Sequence, residues 1–178
     1  MATNMQLKPQ DIVVLLKLIN LQEDWSYRSL AHELFMSVGE VHNALDRATR
    51  AQLFDADYRR PRIQALEEFL VHGLKYAFPA ERGSLTRGLP TGYAAPPLNS
   101  IISQIDGEHP PVWPDPEGSA RGYKLEPLFA SVPKAAQQDK ALYALLALVD
   151  AIRDGRARER KLAAEHLHQL LREKHAAA

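Results

Sequence analysis

The sequence contains no cysteine among its 178 residues. Structural disulfides and thiolate metal sites are therefore excluded, which fits a reducing compartment. The longest apolar-rich stretch, residues 141–152, is about twelve residues long, whereas a bilayer span needs about 20. The first residues also lack the basic and apolar segments of a secretion signal. We therefore expect a cytoplasmic protein without a membrane-spanning segment.

The chain also lacks a charge of one sign, because 22 basic residues balance 22 acidic ones. This balance argues against a protein that coats nucleic acid non-specifically. It does not exclude a protein that recognises a specific nucleotide sequence, because the basic residues of such a protein need only cluster on one face. Hydrophobic residues make up 46% of the chain, which is enough to bury a core.

Patterning divides the chain into three parts. Residues 1–78 are helical and compact, residues 79–138 hold most of the prolines and glycines, and residues 139–178 are helical again. The first helix is predicted over residues 9–21, where Pro9 suits a first turn and apolar residues recur at helical spacing.

Further N-terminal helices are marked by their first residues. Ser26 is a candidate N-cap for a second helix. Ser37 begins a third, which ends near Ala51, and Ser37 to Glu40 has the form of a capping box. A fourth helix is predicted over residues 63–78, where Phe78-Pro79 ends it.

The middle and C-terminal parts give weaker signals. Residues 110–118 and 122–128 could form a small β-hairpin, although their prolines confine such strands to a sheet edge. A helix is predicted over residues 135–153. The sequence Asp154-Gly155 interrupts it, and an amphipathic helix over residues 156–174 completes a C-terminal helical pair.

The most informative stretch is residues 30–45. A small Ala31 allows two short helices to cross closely, Leu34 closes the corner, and Ser37 caps the helix that follows. Val41 and Leu45 return to the same small core. The outer face of the third helix is then free to enter a major groove of DNA.

This stretch is similar to the winged helix-turn-helix of MarR-like and related bacterial regulators. Their pattern is Leu-Ala, two residues, Leu, two residues, Ser, three residues, Val, and then a small residue with Leu three residues on. Every position matches here, and the resemblance covers roughly residues 8–62. It implies DNA binding by the third helix and a two-stranded wing. Only residues 55–62 separate the third and fourth helices, so the wing is short or absent.

The residues that would contact DNA can be assigned from the third helix and the connection after it. Val38, Val41, Leu45 and Ala48 are predicted to point inward. On the outer face, Asn pairs bidentately with adenine and Arg with guanine. The candidates for base edges are His42, Asn43 and Arg47. The candidates for phosphates are Arg28, Arg50, Arg59, Arg60 and Arg62, with Ser37 and the nearby helix amides for another phosphate.

Residues 28–62 contain six Arg against five acids, a net charge of only +1. Glu40 and Asp46 are predicted to sit on the groove face itself. One copy should therefore bind DNA weakly, and we expect a homodimer that reads two half-sites. The predicted fold is mainly α: an N-terminal winged helix-turn-helix, a Pro/Gly-rich middle and a C-terminal helical pair. The predicted function is sequence-specific binding of double-stranded DNA, as a transcriptional repressor. Helices 63–78 and 139–152 are the candidates for dimer or interdomain packing.

Other functions stay open, since a fold does not fix a function. The winged helix and the C-terminal part could bind a protein partner, as an accessory or antitoxin-like protein. The middle segment holds Trp113, Tyr93 and Tyr123 among its prolines. It is either a strap across the helices or a site for a small effector or a protein partner. We find no catalytic set, cofactor motif or metal-ligand spacing, and so do not predict an enzyme.

Overall fold

The computed structural model describes residues 6–21, 24–103 and 107–176, and the fold is mainly helical with small sheets. The helices are α1 (Pro9–Asn20), α2 (Tyr27–Leu34), α3 (Val38–Arg50), α4 (Ile63–Glu68), α5 (Leu74–Ala77), α6 (Val132–Gln138), α7 (Lys140–Asp154) and α8 (Ala157–Ala176). The strands are β1 (Phe54–Asp55), β2 (Arg60–Pro61), β3 (Arg82–Pro90), β4 (Pro111–Pro114) and β5 (Ala120–Leu125). None of the described helices has both the length and the apolar character needed to cross a bilayer.

The helix starts predicted in the N-terminal part are confirmed. The Ser26 hydroxyl accepts a hydrogen bond from the backbone N–H of Ser29 at 3.0 Å, and Ser37 does the same for Glu40 at 3.0 Å. Each bond satisfies a backbone donor that has no partner inside its own helix. Helices α4 and α5 form the fourth helical run, joined by a π-helical turn at Phe69–Gly73.

A short antiparallel hairpin follows α3. Strands β1 and β2 pair Phe54 with Pro61 and Asp55 with Arg60. The Asp55 carboxylate accepts from the backbone N–H groups of Asp57 and Tyr58, both at 3.1 Å, which holds the turn together. The connection predicted as a short or absent wing is thus a hairpin of two-residue strands.

The predicted hairpin in the middle segment is wrong. Strands β4 and β5 run parallel where they pair, and both lie antiparallel to β3, a strand that the sequence analysis did not predict. The three strands approach so closely that two positions require glycine. A Cβ at Gly88 would lie 2.0 Å from the Trp113 carbonyl oxygen, and one at Gly122 would lie 1.9 Å from that of Pro110.

The middle segment packs across α7, as the strap interpretation expects. Trp113 is buried, and its indole Nε1–H donates to the Asp150 carboxylate at 2.7 Å. The Thr91 hydroxyl donates to the same oxygen at 2.8 Å. The tryptophan that suggested a ligand site therefore belongs to the core. A site for an effector or partner elsewhere in this segment stays a prediction.

The single helix predicted over residues 135–153 is wrong, because the chain forms α6 and α7 instead. The break is at Asp139, whose backbone is extended (φ −138°, ψ 98°). Its carboxylate accepts from the Leu142 N–H at 3.0 Å and caps α7. The same carboxylate accepts from the buried Lys17 ammonium of α1 at 2.6 Å. The predicted break at Gly155 is confirmed.

The hydrophobic core is one continuous cluster that draws on helices from both ends of the chain. Residues 12–16 of α1 are fully buried at its centre. Helix α3 packs on α1 through one side only. The opposite side of α3 is therefore available for another role.

Candidate nucleic-acid interface

The outer side of α3 stands clear of the rest of the described chain. Its inner side is buried at Val41, Ala44, Leu45 and Ala48. Five exposed residues at helical spacing form the outer side, which we call the α3 stripe: Gly39, His42, Asn43, Asp46 and Arg50. The predicted base-reading residues His42 and Asn43 are at its centre.

Arg47 does not belong to the α3 stripe, and the prediction that it faces a base edge is wrong. It is 7% exposed, and its Nε and Nη2 groups donate to the Asp11 carboxylate of α1 at 2.9 and 2.6 Å. Asp11 is itself fully buried, and a buried carboxylate needs a charged partner. Burial raises the pKa of the Asp11 carboxyl, although the bonds from Arg47 and the Lys8 backbone oppose this shift. Arg47 therefore fixes α3 on α1.

Two further predictions about α3 are wrong. Val38, predicted to point inward, is 48% exposed. Glu40, predicted to complete a capping box and to stand on the groove face, turns toward α1 instead. Its Oε1 accepts from Gln10 at 3.0 Å and from Arg47 at 3.2 Å. One of the two acids predicted to sit on the groove face is thus bonded within the protein.

A row of aromatic contacts links the α3 stripe to the β1–β2 hairpin. The rings of His42 and Tyr27 lie 5.2 Å apart, and those of Tyr27 and Trp25 lie 5.6 Å apart. The Arg59 guanidinium then lies 4.2 Å from the centre of a Trp25 ring. Arg59 also donates to the Trp25 carbonyl at 3.0 Å, and the Trp25 indole donates to the Arg59 carbonyl at 3.3 Å. The hairpin is therefore held beside the start of α2.

The remaining predicted cations are exposed, and they differ in whether an acid lies within ion-pair distance. Arg50 lies 3.6 Å from Asp46, and Arg62 lies 3.3 Å from Asp55. Arg28 forms no ion pair with any acid in the described part of the chain, and Arg60 forms none there either. The Arg60 guanidinium lies 5.2 Å from the ring of Tyr58, which is 73% exposed at the hairpin tip.

The structure thus connects the predicted residue His42 with the predicted residues Arg59 and Arg60 of the hairpin region. Sequence reasoning missed Trp25, Tyr27 and Tyr58, which connect them. A signal was present, because aromatic and basic residues follow one another closely at residues 25–28 and 58–60.

No protein-family model, curated protein or solved structure matches this chain. Its function must therefore be inferred from the geometry and chemistry of its own surface.

Proposed function

We propose that this protein is a sequence-specific DNA-binding regulator in which α3 enters the major groove. The single observation that supports this proposal is the α3 stripe, an exposed polar face on a helix whose other face is fixed to the core. Helices α2 and α3 with the β1–β2 hairpin would then act as a winged helix-turn-helix with a short wing.

The chemistry of the α3 stripe suits contact with base edges. Asn43 is exposed, and an asparagine amide pairs bidentately with adenine. His42 is also exposed, and its ring lies 5.2 Å from that of Tyr27. Gly39 in the first turn presents no side chain, which permits the backbone to approach DNA closely.

The cations at the border suit contact with phosphates. Arg28 and Arg60 are free of acids in the described residues, and Arg50 is only loosely paired with Asp46. Phosphate contacts position a protein on DNA, whereas base contacts specify sequence. The modest excess of positive charge favours a protein that depends on specific contacts over one that coats DNA.

Selection from a randomised pool of DNA duplexes tests this proposal, followed by anisotropy titration of the enriched duplex at several salt concentrations. We expect the wild-type protein to enrich one sequence. Asn43→Ala should reduce the preference for it by about 5- to 150-fold, which corresponds to one lost bidentate contact. Arg28→Ala, at an exposed cation outside the linings of both pockets beside α4 and α8, should weaken binding to all sequences and reduce the salt slope by about 1.

Asn99→Ala is the matched control, because Asn99 is an exposed asparagine in the middle segment. It should bind DNA as the wild type does. If no sequence is enriched, or if Asn43→Ala behaves like this control, the groove assignment is wrong. Recovery of one stoichiometric protein partner in the absence of DNA binding would instead favour the accessory function.

A further inference from the structure

A groove runs between α4 and α8 on a face that the proposed DNA contacts do not use, except at one end. The larger part, of about 800 Å³, begins at the β2 strand and the end of α1. A second part of about 520 Å³ continues toward the π-helical turn. The two parts share Gln64, Glu67 and His168, so they form one surface, which we call the α4–α8 groove.

The two helices that form the α4–α8 groove run antiparallel. The Glu67 carboxylate and the His168 Nδ1 lie 2.5 Å apart across its centre. Val71, in the π-helical turn that follows α4, lines the groove together with Ala164, which precedes His168 on α8. Ala164 and His168, four residues apart on α8, therefore lie at successive positions along the groove.

The α4–α8 groove carries opposite charges at its two ends. One end is lined by the cations Arg60, Arg62, Arg172 and Lys174 and by one acid, Asp55, which lies 3.3 Å from Arg62. The other is lined by the acids Glu68 and Glu165 together with His72. From Glu165 to Arg172 the helix rises by about 10 Å. Glu68, Glu165, Arg172 and Lys174 are exposed and have no ion-pair partner among the described residues.

Between these ends the lining includes apolar side chains that are only half-buried, among them Ile63, Ala65 and Val71. Removing such surface from water favours association. Several acids and two histidines also lie nearby, but no three of the described residues are placed to hold a metal ion. A metal therefore does not account for the acidic end.

We propose that the α4–α8 groove receives a second copy of this chain, related to the first by a twofold axis near Glu67 and His168. In such a contact the same patch serves both copies, so the basic end of each meets the acidic end of the other. Helix α8 of each copy lies against the groove of its partner, and the four helices pack as a bundle. The cations at the start of α8, Arg158 and Lys161, do not line the groove and lie beyond the contact.

This proposal rests on the proposed function in one respect, namely that a DNA reader with so little net positive charge needs two half-sites. The charge complementarity itself is independent of DNA. A twofold axis at the groove centre would place two copies of α3 on one assembly, where each could read one half-site.

Analytical ultracentrifugation of the full-length protein without DNA tests the proposal through two charge-reversed variants. The first carries Arg172→Glu and Lys174→Glu, and the second carries Glu68→Lys and Glu165→Lys. We expect the wild-type protein to be a dimer. Each variant alone should place like charges opposite each other and raise the dimer Kd by about a hundredfold or more.

An equimolar mixture of the two variants is the decisive sample. Each reversed end then meets an end of opposite charge, so the mixture should dimerise as the wild type does. Arg158→Glu with Lys161→Glu is the matched control, since it changes the net charge equally on exposed positions of α8 outside the groove. It should remain a dimer.

A monomeric wild-type protein, or a mixture that stays monomeric, overturns the assignment of this surface. Those outcomes leave the proposed function standing if the wild-type protein still enriches a DNA sequence. A wild-type dimer that enriches no sequence would instead contradict the proposed function and leave the dimer surface intact.

Discussion

Helices α3 and α7 both carry polar side chains, but those of the α3 stripe are exposed, whereas Asp150 of α7 is buried. On α3, His42 and Asn43 are exposed at the centre of a surface that the rest of the described chain leaves uncovered. On α7, Asp150 is 2% exposed and accepts hydrogen bonds from Thr91, Trp113 and Arg153. Buried polar groups in proteins are almost always bonded. Asp150 and its three donors, which we call the α7 cluster, therefore stabilise the fold, whereas the α3 stripe is available for recognition.

The α7 cluster also connects distant parts of the chain. The Arg153 guanidinium donates to the Asp150 carboxylate at 2.8 Å and to the Phe78 carbonyl at 2.9 Å, which ties the end of α5 to α7. Asp150 joins the same helix to the strand segment through Thr91 and Trp113. The Asp150 carboxylate therefore joins α7 directly to Thr91 and Trp113, and through Arg153 to the end of α5.

The largest effect on stability is expected from Asp150→Ala. It leaves the Arg153 charge and two other donors without their acceptor in a buried site, which costs about 3–5 kcal/mol. Urea unfolding followed by circular dichroism measures the difference from the wild type. Asp46→Ala on the α3 stripe is the control, and it should change stability by less than about 0.5 kcal/mol because both partners of its ion pair are exposed. Similar losses in the two variants would contradict the contrast between α7 and α3.

A second test compares two arginines on the same helix. Arg47→Ala leaves the buried Asp11 carboxylate without its partner and should cost about 3 kcal/mol of stability. Arg50→Ala should leave stability within about 0.5 kcal/mol of the wild type and weaken DNA binding with a smaller salt slope. Urea unfolding and anisotropy titration on both variants separate the two effects. The assignment fails if Arg50→Ala is the variant that loses stability.

The wrong prediction for Arg47 shows what the sequence could and could not supply. The starts of α2 and α3 were predictable, since Ser26 and Ser37 cap helices through residues three positions away. Arg47 stands at the border between the inner and outer sides of α3, where periodicity alone does not decide its direction. Its partner Asp11 lies 36 residues earlier and becomes visible only when α1 and α3 pack together.

Contacts between distant residues also bear on the two wrong predictions about the fold. Strand β3 has no strict alternation of apolar and polar residues, because it is mostly exposed and depends on its pairing with β4 and β5. At the break between α6 and α7, Asp139 caps α7 through Leu142, a local signal that the sequence analysis missed, and it also pairs with Lys17, which lies 122 residues away. Of the candidate site, the exposed polar residues of α3 were predictable from local spacing, whereas the contacts among Tyr27, Trp25 and Arg59 required the tertiary structure.

A third, smaller effect concerns acid stability and the ion pair between α1 and α7. Burial would raise the pKa of the Asp139 carboxyl, but the Lys17 ammonium and the Leu142 N–H outweigh it and hold this pKa below the ordinary value of 3.8. A lowered pKa in the folded state stabilises the protein above that ordinary value, and this contribution is lost as the pH falls through the lowered value.

Asp139→Asn isolates that contribution, because asparagine also serves as an N-cap but carries no charge. The stability difference between wild type and variant should be largest at neutral pH and should shrink as the pH falls below 3.8. Urea unfolding across this range provides the measurement. A difference that does not change with pH would mean that the charge of Asp139 contributes nothing.

The only expected gain in stability comes from Gly39→Ala on the α3 stripe. A Cβ at this position meets no atom closer than the Ser37 Oγ at 4.0 Å, and alanine favours a helix over glycine by up to about 1 kcal/mol. Unfolding should therefore show a more stable protein. If the first turn of α3 approaches DNA closely, anisotropy titration should at the same time show weaker binding. Gln169→Ala on α8, a change remote from the stripe, should leave DNA binding unchanged, and equal binding by both variants would place the backbone of α3 away from the groove floor.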